Sequence, residues 1–176
     1  GQAITLSNQL KEKGAINGAS LAKLVKAEPR EYTFAQTFPT GTHAMWLYYW
    51  LASYGVNPFT EVKNITVPPP QMIANMRVGN MDGYCVGEPW GARAIRDNVG
   101  FTAVTTQEIW KDHPEKVLGT TAEWVAKYPN TARAMIMAIL DASKYIDDMK
   151  NRSAVAKVIA EKSYVNTDFD SIEDRM

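Results

Sequence analysis

The stretch that most restricts the fold runs from Tyr32 to Gly55. Tyr32-Thr33-Phe34-Ala35-Gln36-Thr37-Phe38 is rich in aromatic and β-branched residues and alternates with period two, which is the pattern of a strand, and Pro39 halts it. After the turn Thr40-Gly41-Thr42-His43, the run Ala44-Met45-Trp46-Leu47-Tyr48-Tyr49-Trp50-Leu51-Ala52-Ser53-Tyr54 reads as a helix, with Thr40 or Thr42 as its N-cap and Gly55 as its C′ residue. The helix is apolar nearly all round, so burial on more than one side is expected.

The same order recurs downstream. Ile65-Thr66-Val67 is a short strand, Pro68-Pro69-Pro70 sets the turn and the first helical positions, and 71–77 forms a helix ending at Gly79. Gly83-Tyr84-Cys85-Val86-Gly87 is a further strand, after which Glu88-Pro89-Trp90 opens a helix through Ala94. Residues 101–105 and 117–120 read as two more strands. Strands alternating with helices imply an α/β layer with a mostly parallel sheet. Short surface helices are expected at 8–13 and 18–26, and by default Gln2 belongs to a frayed terminus. Past residue 120 the chain is helical: 122–128, then a long amphipathic helix capped by Asn130 or Thr131 and reaching about Met149, then 153–162. Met135, Ala138, Ala142, Ile146 and Met149 form one stripe of the long helix.

Composition narrows the function classes. With 45% hydrophobic residues in 176 the chain can bury a core, and its 19 basic and 19 acidic residues cancel, leaving no field to draw in nucleic acid. The single cysteine, Cys85, sits in an apolar strand and is expected to pack. No run approaches the length of a membrane span, and no targeting segment is visible in a chain whose two ends both read as cut from something longer.

Catalytic signatures are missing. There is no Gly-x-Ser-x-Gly elbow, no Gly-rich loop ending in Lys-Ser/Thr, and no paired-cysteine or His-Glu-x-x-His metal pattern, so neither an enzyme nor a bound cofactor or metal is expected. The turn at 40–43 has another chemistry. A helix start directly after a strand offers unpaired N–H groups and the positive end of the macrodipole, which suit a small anion. Gly41 permits close approach, Thr40 and Thr42 offer hydroxyls, and His43 adds a donor. Most such junctions bind nothing, and a lone histidine there is more often a cap or packing residue. The Val86-Gly87-Glu88 junction is similar, with Glu88 more ordinary as a structural carboxylate at a helix start than as a catalyst, and Lys116 is by default a solvated lysine.

Three runs carry a resemblance: Thr37-Phe38-Pro39-Thr40-Gly41-Thr42-His43-Ala44-Met45-Trp46-Leu47, Asp82-Gly83-Tyr84-Cys85-Val86-Gly87-Glu88-Pro89-Trp90 and Asp112-His113-Pro114-Glu115-Lys116-Val117-Leu118-Gly119. Together they resemble the nitrate- and bicarbonate-binding proteins of ABC importers, the NrtA and CmpA type. The resemblance implies a two-lobed α/β fold of the type II periplasmic-binding-protein kind, of which this chain holds one full lobe, 1–105, and the returning C-terminal segment of the other, 106–176. It further implies an anion held by His43, Gln2, the 40–43 turn, the Val86-Gly87-Glu88 junction and Lys116, with an aromatic ligand residue belonging to an upstream portion.

Nitrate or nitrite is the ligand this set implies, since an acidic side chain working with calcium takes the lysine's place in the bicarbonate branch. Glu115 beside Lys116 keeps that alternative open. Two others share the scaffold: a ligand-sensing regulatory domain of the importer ATPase, and an enzyme akin to pyrimidine-precursor synthases. The expected partners are nitrate or nitrite and the importer's permease subunits, and the expected location is the periplasm or the outer face of the cell membrane.

Overall fold

A computed structural model describes residues 1–176. The chain divides into two compact units, Gly1–His113 with Arg175, and Pro114–Asp174 with Met176. The division falls after His113, later than the 105/106 boundary expected from sequence.

The first unit is built on a five-stranded sheet in the order β3-β2-β4-β1-β5, comprising β1 (Gln2–Ser7), β2 (Thr33–Gln36), β3 (Lys63–Thr66), β4 (Gly83–Gly87) and β5 (Gly100–Thr105). β2 runs parallel to β3 and β4, while β1 runs antiparallel to both β4 and β5, so four strands point one way and one points back. The mostly parallel sheet thus carries one reversed strand, and it is the strand the sequence did not announce. In Gln-Ala-Ile-Thr-Leu-Ser both faces are buried, Thr5 and Ser7 as fully as Ile4 and Leu6, because β1 is paired on both edges in the middle of the sheet. Gln2, expected to fray, is 4% exposed and opens this strand.

Helices cover both faces. α1 (Asn8–Glu12), α2 (Gly18–Ala27) and α3 (Thr42–Ser53) share a core with one face of the sheet, in which Leu10, Leu21, Leu47, Trp50 and Leu51 pack against Ile4, Phe34 and Cys85. The opposite face buries Ala35, Tyr84 and Val86 against Met72, Ile73 and Met76 of α4 (Pro69–Arg77) and Ala94 of α5 (Trp90–Arg96). The unit ends with α6 (Thr106–Ile109). Gly55 and Gly79, at φ 78° each, terminate α3 and α4 in the left-handed conformation that a β-carbon disfavours. Asp82 ties the loop before β2 to the one before β4: its carboxylate accepts from the Thr33 N–H at 2.8 Å and from the Arg30 guanidinium at 2.6 and 3.1 Å, which raises the Arg30 pKa.

Two features of α3 differ from expectation. Its N-cap is Gly41, without a side-chain hydrogen bond, rather than Thr40 or Thr42. It is buried along one stripe only, Ala44, Leu47, Trp50 and Leu51, whereas Met45 is 57% and Tyr49 61% exposed, because a single sheet lies beneath it.

The second unit is helical: α7 (Ala122–Lys127), α8 (Pro129–Asp147), a 3-10 turn at Met149–Asn151, α9 (Arg152–Ala160) and α10 (Phe169–Glu173). Residues 117–120 form no strand. Val117 is 85% exposed, and β-branched residues become a strand only where a neighbouring edge pairs with them. α8 starts at Pro129 after Tyr128, ahead of the expected Asn130 or Thr131 cap, and no side chain caps it. The Met135–Ile146 stripe exists but buries nothing, since α8 has no buried residue. The unforeseen α10 is held by the Asp168 carboxylate, which accepts from the Ser171 N–H at 2.9 Å.

Candidate functional site

The reversal of β1 creates the site. Because β1 opposes β4, its first residues lie at the sheet edge where β2 and β4 end, and the register sets Gln2 opposite Gly87. β2 ends at Gln36, and the chain turns through 37–41 into α3, whose first two residues are Thr42 and His43. One edge therefore gathers Gln2, Gly87, Thr42 and His43. Ligand crevices in open α/β sheets lie at the carboxyl ends of the parallel strands.

Specific contacts fix this set. The Gln2 amide Nε2 donates to Thr42 Oγ1 at 3.3 Å, and His43 Nδ1 is 2.7 Å from Thr37 Oγ1, which fixes the imidazole plane. The other ring nitrogen turns toward Gly87: a β-carbon added there would lie 4.0 Å from His43 Nε2 and 3.8 Å from the Gly1 carbonyl. The bare glycine thus keeps the space between histidine and strand open. No side chain caps α3, so the positive end of its dipole serves this edge uncovered. Thr40 is exposed, Gly41 is half-buried, and Val86 turns its side chain into the far core, leaving only its backbone for the site.

Glu88 has a separate task. Its N–H donates to Gly1 O at 3.0 Å, and its carboxylate accepts from Ala92 N at 3.0 Å, closing the start of α5. Gly91 makes this possible, since a β-carbon there would lie 2.7 Å from Glu88 Oε1. Lys116 belongs to the second unit, where its side chain is 84% exposed and its ammonium is 3.0 Å from the Glu115 carboxylate. No three His, Cys, Asp or Glu side chains gather closely enough to hold a metal.

Sequence reasoning missed the two side chains that hold the Gln2 backbone in place. Thr106 Oγ1 donates to Gln2 O at 3.2 Å, and His113 Nε2 is 2.8 Å from the same hydroxyl. With the threonine proton given to Gln2, the histidine is the donor of that pair. The His113 ring also lies against Trp46 of α3, centroids 4.6 Å apart. β1, α3 and the segment after α6 are thus tied together around the site. Only the register of β1 could have signalled it.

The α/β sheet, with polar donors grouped at its carboxyl edge beside an uncapped helix start, has the fold of a periplasmic-binding-protein lobe. Residues 1–160 match the model of the NMT1-like family, and the chain belongs to that family. The nitrate/nitrite binding protein NrtA of Nostoc sp. is 42% identical over 170 residues, 94% of this chain and 39% of that protein. The nitrate import ATP-binding protein NrtC of Synechocystis sp. is 40% identical over 168 residues, 95% of this chain and 25% of that protein. The bicarbonate-binding protein CmpA of Synechococcus sp. is 32% identical over 171 residues, 94% of this chain and 38% of that protein. The crystal structure of the periplasmic nitrate-binding protein NrtA from Synechocystis superposes with a TM-score of 0.89 at 39% identity, covering 99% of this chain and 46% of that one. The chain therefore spans less than half the length of the relatives it matches.

Proposed function

We propose that this chain is part of a receptor that captures nitrate or nitrite on the outer face of the membrane and delivers it to the permease of an ABC importer, without catalysing a reaction. In this reading Gly1–His113 belongs to one lobe and the segment after it returns to the other. The observation that carries it is the convergence of Gln2, Thr42, His43 and Gly87 beside the uncapped start of α3. The NrtA relatives, named for nitrate and nitrite, support the choice of ligand.

Nitrate is a planar monoanion that stays ionised at every physiological pH. A site for it needs hydrogen-bond donors and positive charge and has no proton to manage. Amide, imidazole and helix-start N–H groups meet the first need, and Lys116 supplies the charge. The open form samples the closed one, and the anion stabilises closure by bridging donors from both lobes. A single observation favours a second role, the likeness to NrtC: the same fold serving as a ligand-sensing domain of an importer ATPase. ATP hydrolysis by the polypeptide that carries this chain would assign it that role.

Titration calorimetry on the protein in its full natural length tests the ligand. Nitrate is expected to bind without added metal. Bicarbonate binding that requires calcium, with no heat from nitrate, would assign the protein to the bicarbonate branch instead.

A further inference from the structure

We infer that Gln36 is a further ligand contact of this site, an amide that turns to match the oxygen edge presented to it; the inference rests on the receptor reading above. Gln36 closes β2 and is 2% exposed, yet its Oε1 is enclosed without a hydrogen-bond donor. Its backbone is satisfied, the carbonyl accepting from Val67 N at 3.1 Å, so only the side chain is left over. A buried amide oxygen without a partner destabilises the free protein, and natural proteins retain such groups where function uses them.

Strand parity locates the side chain. Phe34 packs in the core beneath α3 and Ala35 in the opposite one, so Gln36 returns to the α3 face. On that face Ile4 and Cys85 are register partners, and Gln2 and Gly87 are the next such pair toward the edge. β2 pairs with β4 through Phe34–Gly83 and Ala35–Tyr84, which sets Gln36 level with Cys85, one row inward from Gly87. The next residue, Thr37, holds the His43 ring. Gln36 therefore lies on the face that carries Gln2 and Gly87, one row further inside the sheet and next to the residue that holds His43.

An amide is suited to this place because its two ends are nearly isosteric, and a half-turn exchanges an acceptor for a donor. No protein donor holds Oε1, so the half-turn breaks no hydrogen bond there. Nitrate, which only accepts, draws the NH2 inward. A ligand with its own hydroxyl, such as bicarbonate, is met by the oxygen.

The test pairs affinity with stability in the protein at its full natural length. Gln36→Met keeps the length of the side chain and removes the polar end. It is expected to weaken nitrate binding about tenfold, while the melting temperature of the ligand-free protein stays the same or rises, since no internal hydrogen bond is lost. Gln36→Glu, which can only accept and adds negative charge, is expected to weaken nitrate on the order of a hundredfold. Unchanged affinity in Gln36→Met, or a melting temperature several degrees lower, overturns the inference and leaves the receptor reading standing. If the unsubstituted protein ignores nitrate but takes bicarbonate with calcium, the nitrate reading fails. The Gln36 inference then survives only if Gln36→Met weakens bicarbonate. Binding of neither ligand overturns both.

Discussion

The two compact units use amphipathic helices in opposite ways. In the first, the apolar stripes of α1 to α5 are absorbed by a sheet that is buried on both faces, and the polar groups left at its edge become the candidate site. In the second, α8 carries an equally regular stripe that no other element of this chain, which spans less than half the length of its relatives, covers: Met135, Ile136, Ile139, Leu140 and Ile146 are exposed, and Ala142, Tyr145 and Ile146 line an apolar groove with Val155, Val158 and Ile159 of α9. The difference teaches that a hydrophobic pattern specifies a helix, while burial needs a surface to receive it.

Matched truncations would break or sharpen that contrast. Phe34→Ala removes a fully buried ring from β2 and is expected to cost about 3–5 kcal/mol in urea denaturation. Ile139→Ala, on the exposed stripe of α8, is expected to change stability by no more than about 0.5 kcal/mol in the same chain. A cost at position 139 equal to that at 34 would mean that α8 is covered in solution, and the contrast would dissolve.

Lys116→Glu sharpens the contrast from the functional side. Its side chain makes an exposed pair with Glu115, which contributes little to stability, so the folded state should be indifferent to the change. Nitrate affinity should fall more than a hundredfold, about 2.7 kcal/mol, by calorimetry on the full natural length. Unchanged affinity would place the lysine outside the site and leave the first unit to hold the anion without it.

Much of the first unit was legible because βα units are local. Strand 33–36, the glycine stops at 55 and 79, and strand 83–87 each follow from a few adjacent residues. β1 was illegible for the opposite reason: its pairing partners lie about eighty to a hundred residues away in the chain, and the short alternation Ile4-Thr5-Leu6-Ser7 stops at once where α1 begins. The site inherits that blindness. His43 and Gly87 stand beside visible turns, but Thr106 reaches Gln2 across 104 residues, and His113 and Gln36 matter only through the sheet register. Val117–Thr120 erred the other way, since β-branched residues state a preference that an absent neighbour leaves unused.

The smallest expected effect contrasts how the helices of the two units begin. α6 opens with a reciprocal capping box: Thr105 Oγ1 accepts from Glu108 N, and the Glu108 carboxylate accepts from Thr105 N at 2.7 Å. That backbone hydrogen bond, with the one from the Thr105 hydroxyl, lowers the Glu108 pKa, whereas α8 starts with no side-chain cap. A carboxyl whose pKa is lower folded than unfolded adds stability above the ordinary glutamate value of about 4.3, and that stability is lost as pH falls through the lowered value. Glu108 is exposed, so solvent holds the gain to a few tenths of a kcal/mol. Urea midpoints taken between about pH 3 and pH 6 should therefore fall slightly less steeply toward acid in Glu108→Gln than in the unsubstituted chain. Identical slopes would show that the box holds the backbone without drawing on the charge, and the two kinds of helix start would then differ in geometry alone.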